Sequence, residues 1–409
     1  MLDFLELRLF VKDEFVISSS DEKYHKFTGN VLDLGVKVGA RSVSRDESGN
    51  ILTDDLYHPY DELPSSYTNL VFKFVQNGGV LKPHVMLKCS PAKILQGHNV
   101  FGSDNIRTAV IEMLGLLATT QPQLYNILDI STASVVNLDV TYSARLDNDN
   151  LVLKVLDYLR NVSNASLRKS KLVYGSTVYW GSPNSKRLAR KAYCKSTEFF
   201  DQLKKLKQRA KRGEAFAQRV INAMSDERVQ SFMVGLLRLE CRFKPVWLYE
   251  NGIPTNIWQL IQFQQSEPDV LERIWKQANL PLFEALKGTE MQYTDDDKIK
   301  ALIYQKLVYT DAKGKTRTAK ATKAWHLYKL IRASGWETIK KEMSSSTFYD
   351  GVKYLAECGL SRSHLQNLHV SDAGKVVPFI NFVQIDFDNQ CPSWWVEPVS
   401  QFETSLKIA

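Results

Sequence analysis

VVNLDVTYSAR, residues 135–145, alternates polar and apolar side chains from Asn137 onward. In an extended strand successive side chains point to opposite faces, so Asn137, Asp139, Thr141 and Ser143 share one side and Leu138, Val140 and Tyr142 the other. GLLRLECRFK, residues 235–244, repeats the arrangement: Arg238, Glu240, Arg242 and Lys244 lie opposite Leu237, Leu239, Cys241 and Phe243. Each strand thus has an apolar face to cover and a polar face. The polar face is either a working surface, the wet side of an ordinary sheet, or a salt-bridge ladder.

Outward from these strands the first half alternates between element types. Phe4–Val11, Leu70–Val75 and Val85–Lys88 have strand composition, whereas residues 104–119 and 151–160 carry apolar positions at helical spacing. Past residue 251 the chain turns mostly helical, and STFYDGVKYLAECGLSRSHLQNL, residues 345–367, predicts a helical hairpin whose turn is also compatible with a helix-turn-helix. The DNDN sequence at 147–150 lacks the glycine and terminal glutamate of a calcium loop and reads as a turn. The expected organisation is a core over 1–250, a helical connector over 251–290 and a helical C-terminal region over 291–409.

Net charge is +8, and its location matters more than its size. Residues 186–213 hold eleven Lys or Arg and only two acids, Glu198 and Asp201. A basic excess confined to one segment is the footprint of a polyanion site, although a solvated helix face has the same composition. KGKTRTAKATK, residues 313–323, adds five bases without an acid. No apolar run reaches bilayer-spanning length and the N-terminus carries acids, so no membrane partner is expected. Five cysteines without a CxxC pair fit neither a disulfide framework nor a zinc ribbon.

Within the basic segment, RLARKAYCKSTEFF (187–200) places Tyr193 among Arg187, Arg190, Lys191 and Lys195, just before residues of helical spacing. A tyrosine can attack a phosphodiester and keep the bond as a phosphotyrosyl ester. Its pKa of about 10 leaves roughly 0.1% phenolate at neutral pH. Cations beside the phenol, supplied by Lys191 and Lys195, would favour the phenolate. Asp139 and Glu240 are hard oxygen donors suited to Mg²⁺ or Mn²⁺, which would polarise the phosphate. His98 competes as a ligand by residue type, but a lone histidine reads as structural. Seven histidines form no HxH pair, and neither HExxH nor a Walker loop is present.

SPAKILQGHNVFG (90–102), LDVTYSAR (138–145), LRNVSN (159–164), STVYW (176–180), Ala192-Tyr193 with Lys195, RLECRFK (238–244), VVPFINFVQIDF, WVEPV and the closing LKIA occur in one order from end to end. In these segments the chain resembles the gene II replication initiators of filamentous bacteriophages. The resemblance implies an α/β (α+β) fold, with an antiparallel-sheet core like that of rolling-circle initiators, helices packed on it, and a mostly helical C-terminal region. It also implies a metal-dependent DNA endonuclease with strand-joining activity. Such an enzyme nicks the plus strand of supercoiled double-stranded replicative-form DNA at the origin, leaves a 3′-OH to prime synthesis, and recircularises the displaced single strand.

On that resemblance Tyr193 is the covalent nucleophile and Lys195 steadies charge. Asp139 and Glu240 hold the metal, by weaker analogy with rolling-circle plasmid initiators. Lys186, Arg187, Arg190, Lys191, Lys204, Lys205, Lys207, Arg238 and Arg242 are the cations expected to grip DNA. The implied setting is the host bacterial cytoplasm, with a host helicase, a single-strand-binding protein and self-association on the origin. Met291 matches an internal start in the family, and Tyr179 is a candidate second tyrosine. A non-catalytic origin-binding repressor is the competing reading. A tyrosine recombinase fits poorly, since Tyr193 lies mid-chain with no HxxR before it.

Overall fold

The segment Leu128–Arg145 is one continuous strand in which Leu138, Val140 and Ala144 are buried. Around it the computed structural model describes residues 1–21, 23–36, 40–45, 51–57, 60–63, 67–68, 70–164, 167–169, 176–182, 184–286, 296–369 and 385–403. The main sheet comprises β1 (Leu2–Val11), β2 (Asp61–Leu63), β3 (Leu70–Val75), β4 (His84–Cys89), β5 (Leu128–Arg145), β6 (Thr177–Trp180), β7 (Leu188–Cys194) and β8 (Leu236–Phe243). Its order is β6-β7-β8-β5-β1-β4-β3-β2, and every pairing is antiparallel. The chain therefore has the α+β architecture expected of it.

The helix Val270–Leu286 covers the apolar face of the central strands. Its Trp275 donates Nε1–H to the Leu239 carbonyl at 3.1 Å and meets the Tyr142 ring at 5.3 Å between centroids. Each fully buried Leu, Ile or Val in this layer stabilises the fold by about 1.5–3 kcal/mol relative to exposure. Gly235, with φ +74°, brings the chain into β8 so close to the Leu146 carbonyl that a Cβ there would collide with it. Against the polar face lie the helix Lys195–Lys211 and the segment around Phe101, joined in a smaller apolar cluster with Phe199, Leu203 and Met233. The polar face is consequently not wet: Asp139 is 1% exposed and Thr141 2%.

Two boundaries differ from the sequence expectation. Helices Ile257–Ser266 and Val270–Leu286 belong to the same apolar cluster as the sheet, so they extend the core instead of linking it. Residues between Ile299 and Leu368 form a separate apolar core, but the last described residues leave it and return to the first. There Gln390 bonds the backbone of Ser143, Trp395 donates to Gln96 and Ser400 donates to the buried Glu112. Tertiary contact fixes these boundaries, and the composition of the linking residues carries no trace of it. Met291 lies outside the described residues. Among those residues, no helix is long and apolar enough to cross a membrane.

Candidate active site

Strands β1, β5, β8 and β7 lie side by side, and their polar faces converge on a pocket of about 340 Å³ that contains Asp3, Asp139, Glu240, Lys191 and Tyr193. Register explains the convergence. Arg242 is opposite Asp139 on β5, and Glu240 is opposite Lys191 on β7, which makes Asp139 and Glu240 diagonal neighbours on one face. Tyr193 follows two places along β7 from Lys191. As the sequence places it, Tyr193 lies just before the helix, and it is extended there because β7 pairs on both sides, Tyr193 opposite Thr177 and Arg238. The helix begins at Lys195. Tyr179, on the edge strand β6, lines the same pocket.

The Tyr193 hydroxyl donates to Glu240 Oε2 at 3.4 Å, while Glu240 Oε1 accepts from Lys191 Nζ at 2.8 Å. Lys191 Nζ also sits 5.1 Å from the Tyr193 ring centre. Asp139 is gripped by Arg242, whose Nε and Nη2 approach its two oxygens at 2.8 and 2.6 Å. Burial raises the Glu240 carboxyl to about 8, with Lys191 opposing and the charges of Asp3 and Asp139 adding to the rise. Burial likewise holds the Tyr193 phenol well above its ordinary value, reinforced by Glu240 and Asp3. The expected cationic lowering of this phenol is thus corrected. Its hydrogen-bond acceptor is the Glu240 carboxyl, which can take the phenolic proton when ionised.

Lys195 is fully buried and points elsewhere: its Nζ donates to Asn99 Oδ1 at 2.8 Å and to Glu198. Burial lowers its pKa to about 8 against the opposing pull of Glu198. Asn99 in turn donates to Asp3 Oδ1 at 2.8 Å, so Lys195 organises the pocket wall through Asn99. Asp3 reaches the pocket because β1 and β5 slip register between Leu2 and Phe4, a bulge that re-aims one side chain. Burial disfavours its charge, but Arg238, Lys195 and Lys191, together with the Asn99 bond, hold its carboxyl below the usual range. Sequence reading misses Asp3 altogether. Asn99 carries one signal, its place in the GHN of the 90–102 block. His98, its neighbour there, does not line the pocket but packs edge-on to Phe101 at 4.8 Å. Burial, with Lys195 and Arg238 nearby, depresses its pKa to about 4 and keeps the ring neutral.

The cations expected on DNA divide into three groups. Lys186, Arg187, Lys204, Lys205 and Lys207 are exposed, and Arg187 pairs with Glu250. Lys204, Lys207 and Lys211 line a depression of about 380 Å³ together with Phe200, which is 50% exposed. Lys191 and Arg242 stand in the pocket, paired with its carboxylates. Arg190 and Arg238 belong to the scaffold, a correction that follows from where their donors go. Arg190 turns to the other face and donates Nε–H to the Ala278 carbonyl at 2.5 Å, whereas Arg238, 2% exposed, bonds the carbonyls of Asn99 and Val100.

Asp3, Asp139 and Glu240 offer the hard oxygens that a magnesium or manganese ion prefers. Mutual repulsion among them contributes to the raised Glu240 pKa, a strain that a cation relieves. Among the described residues, no three His, Cys, Asp or Glu side chains are gathered tightly enough to hold a metal ion. Here Lys191 and Arg242 neutralise the acids, and they are the outer members of their pairs, with side chains 28% and 37% exposed against 3% for Glu240 and 1% for Asp139.

Comparison with known proteins places this chain in a family. Residues 1–266 match the family described as the N-terminal part of the phage replication-associated protein, and residues 311–401 match the family described as its C-terminal part. The replication-associated protein of Salmonella phage IKe is 32% identical over 420 residues, spanning 100% of this chain and 99% of that protein. Its counterpart from Enterobacteria phage M13 is 32% identical over 426 residues, spanning 100% of both. No solved structure matches. Two family matches along the chain and end-to-end relatives lead to one conclusion: this protein belongs to the replication-associated (gene II) protein family of filamentous phages.

Proposed function

We propose that this chain is a site-specific nicking and closing enzyme. It initiates rolling-circle replication of a phage replicative form through a phosphotyrosyl intermediate at Tyr193. The observation that carries the reading is the contact between the Tyr193 hydroxyl and Glu240 at 3.4 Å, inside a pocket that also holds Asp3, Asp139 and Lys191. Tyr193 Oη attacks the scissile phosphorus as Glu240 Oε2 takes the phenolic proton. The P–O3′ bond breaks, and the 3′ oxygen takes a proton from water as it leaves as the primer hydroxyl, while Glu240 returns its proton to solvent. Resealing runs in reverse: the 3′-OH attacks the phosphotyrosyl phosphorus and the phenol recovers its proton.

Asp139 and Glu240 are the residues that would hold Mg²⁺ or Mn²⁺ once Lys191 and Arg242 turn away from them. When bound, the ion polarises the scissile phosphate. Lys191 and Arg242 can turn from the carboxylates toward phosphate oxygens, because both stand at the exposed end of their pairs. The exposed Lys204, Lys205, Lys207 and Phe200 of the helix Lys195–Lys211 extend a path for the strand, cations for its phosphates and an aromatic ring for a base. Lys186 and Arg187 continue the cationic path. The substrates are supercoiled origin DNA and the displaced single strand, handled in the host cytoplasm alongside host helicase and single-strand-binding protein.

The test is Tyr193→Phe on a supercoiled origin plasmid. Nicking should fall by at least about a thousandfold, as expected when a nucleophile is removed, with origin binding unchanged. A Phe variant that nicks at the parental rate would remove Tyr193 as the nucleophile, and a wild-type chain that binds the origin without nicking it would return the chain to the repressor reading. Asp139→Ala and Glu240→Ala proteins that nick normally would remove the metal assignment.

A further inference from the structure

Arg168, Lys169, Lys340 and Arg362 converge on a second pocket, of about 460 Å³, at the seam between the sheet core and the C-terminal helices. The seam is built from polar bonds. Ser163 and Gln366 exchange hydrogen bonds of 2.9–3.1 Å, and Asn161 donates to Asn367 at 2.9 Å. The pocket contains one acid, Glu337, and Lys169 holds it at 3.2 Å. Among the described residues no carboxylate pairs with Arg168, Lys340 or Arg362. Arg362 lies 5.4 Å from the Trp336 ring and 5.7 Å from Tyr349, and its buried Nε has no partner among the described residues. Three cations facing one concavity repel one another, a cost that a bound anion removes.

The anion's class follows from the lining and the place. Arginine and lysine heads beside Tyr349, which is 40% exposed, suit a phosphate followed by a base, the pattern by which single strands are held. Lys169 pairs with Trp180 on β6, the same edge strand whose Thr177 and Tyr179 line the Tyr193 pocket. A strand leaving the first pocket around that edge meets the second within the length of β6, about 13 Å at ~3.3 Å per residue.

We propose that the seam pocket is a second binding site for the phosphodiester backbone of single-stranded DNA, formed jointly by the core and the C-terminal helices. It holds the strand outside the cleavage pocket. This rests on the reading that the chain works on DNA, but not on cleavage at Tyr193.

The experiment uses the full chain, a labelled oligothymidine without origin sequence, and chelator to suppress cutting. Arg168→Glu combined with Lys340→Glu, both at exposed positions, should weaken binding at low salt by about tenfold or more. It should also flatten the plot of log affinity against log salt by roughly 1–2, since each phosphate contact on a single strand contributes about 0.7. A short origin oligonucleotide should still form the Tyr193 adduct with this variant. Parental affinity and slope would overturn the proposal while leaving the nicking reading intact. Loss of the adduct in the wild-type chain would instead remove the nicking reading. If the double variant loses its thermal transition, Lys340→Gln alone decides, and an unchanged slope again overturns the proposal. Inorganic phosphate at matched phosphate concentration should fail to displace the oligonucleotide. Displacement would mark a small-anion site and sink the strand assignment.

Discussion

At the scale of single residues, His98 couples the fold to pH. Its folded pKa of about 4 lies below its ordinary 6.5, so across that window the unfolded chain binds a proton that the folded chain does not. Stability should therefore fall as pH drops from 6.5 to 4, by up to about 3 kcal/mol from this group. Replacement by Gln should remove that part of the slope in urea midpoints measured at each pH. An identical slope in the variant would show that His98 is not buried neutral. The neighbouring site residues differ in how plainly the sequence displays them. Asp139 and Glu240 share a face because they sit at alternate positions on paired strands, a periodicity open to reading, whereas Lys191 and Tyr193 join them on a strand that the basic composition of residues 187–200 hides. Lys195 reads as the obvious partner for the phenol, but the switch from strand to helix swings its ammonium onto Asn99 and Glu198. Asp3 is illegible because a bulge moves it onto the polar face, and no local pattern marks the bulge.

At the scale of elements, many helices and strands were readable from apolar spacing, the strand Leu188–Cys194 excepted, whereas their partners were not. The helix Ile106–Thr120 contains Gly115, whose missing Cβ leaves room for the Phe402 ring, and the neighbouring Glu112 accepts three hydrogen bonds from Ser400 and Gln401. In the sequence Gly115 looks like a weak point in a helix; in the fold it is the seat of the returning tail. Gly115→Val should displace that tail, cost about 1–3 kcal/mol by overpacking, and open residues 385–403 to limited proteolysis. If the variant keeps both parental stability and protease resistance, the tail is not seated on this helix.

At the scale of the whole molecule, the basic excess of residues 186–213 is spread over three environments: an exposed helix face, the pocket mouth and the scaffold. Charge counting locates the polyanion path in outline. It cannot separate Lys204 from Arg190, because burial depends on which strand face and which helix face the fold presents. The seam cations escape the count entirely, since Arg168 and Lys340 are distant in sequence and meet only through the packing of two cores.

The account's central claim is covalent attachment at one phenol. The most direct measurement incubates the full chain with Mg²⁺ and an origin oligonucleotide labelled on the 3′ side of the nick, then maps the modified peptide by mass spectrometry. The account predicts a single nucleotide adduct on Tyr193, formed with Mg²⁺ or Mn²⁺ and lost with chelator. An adduct on any other side chain, or nicking that proceeds with no adduct at all, would contradict it.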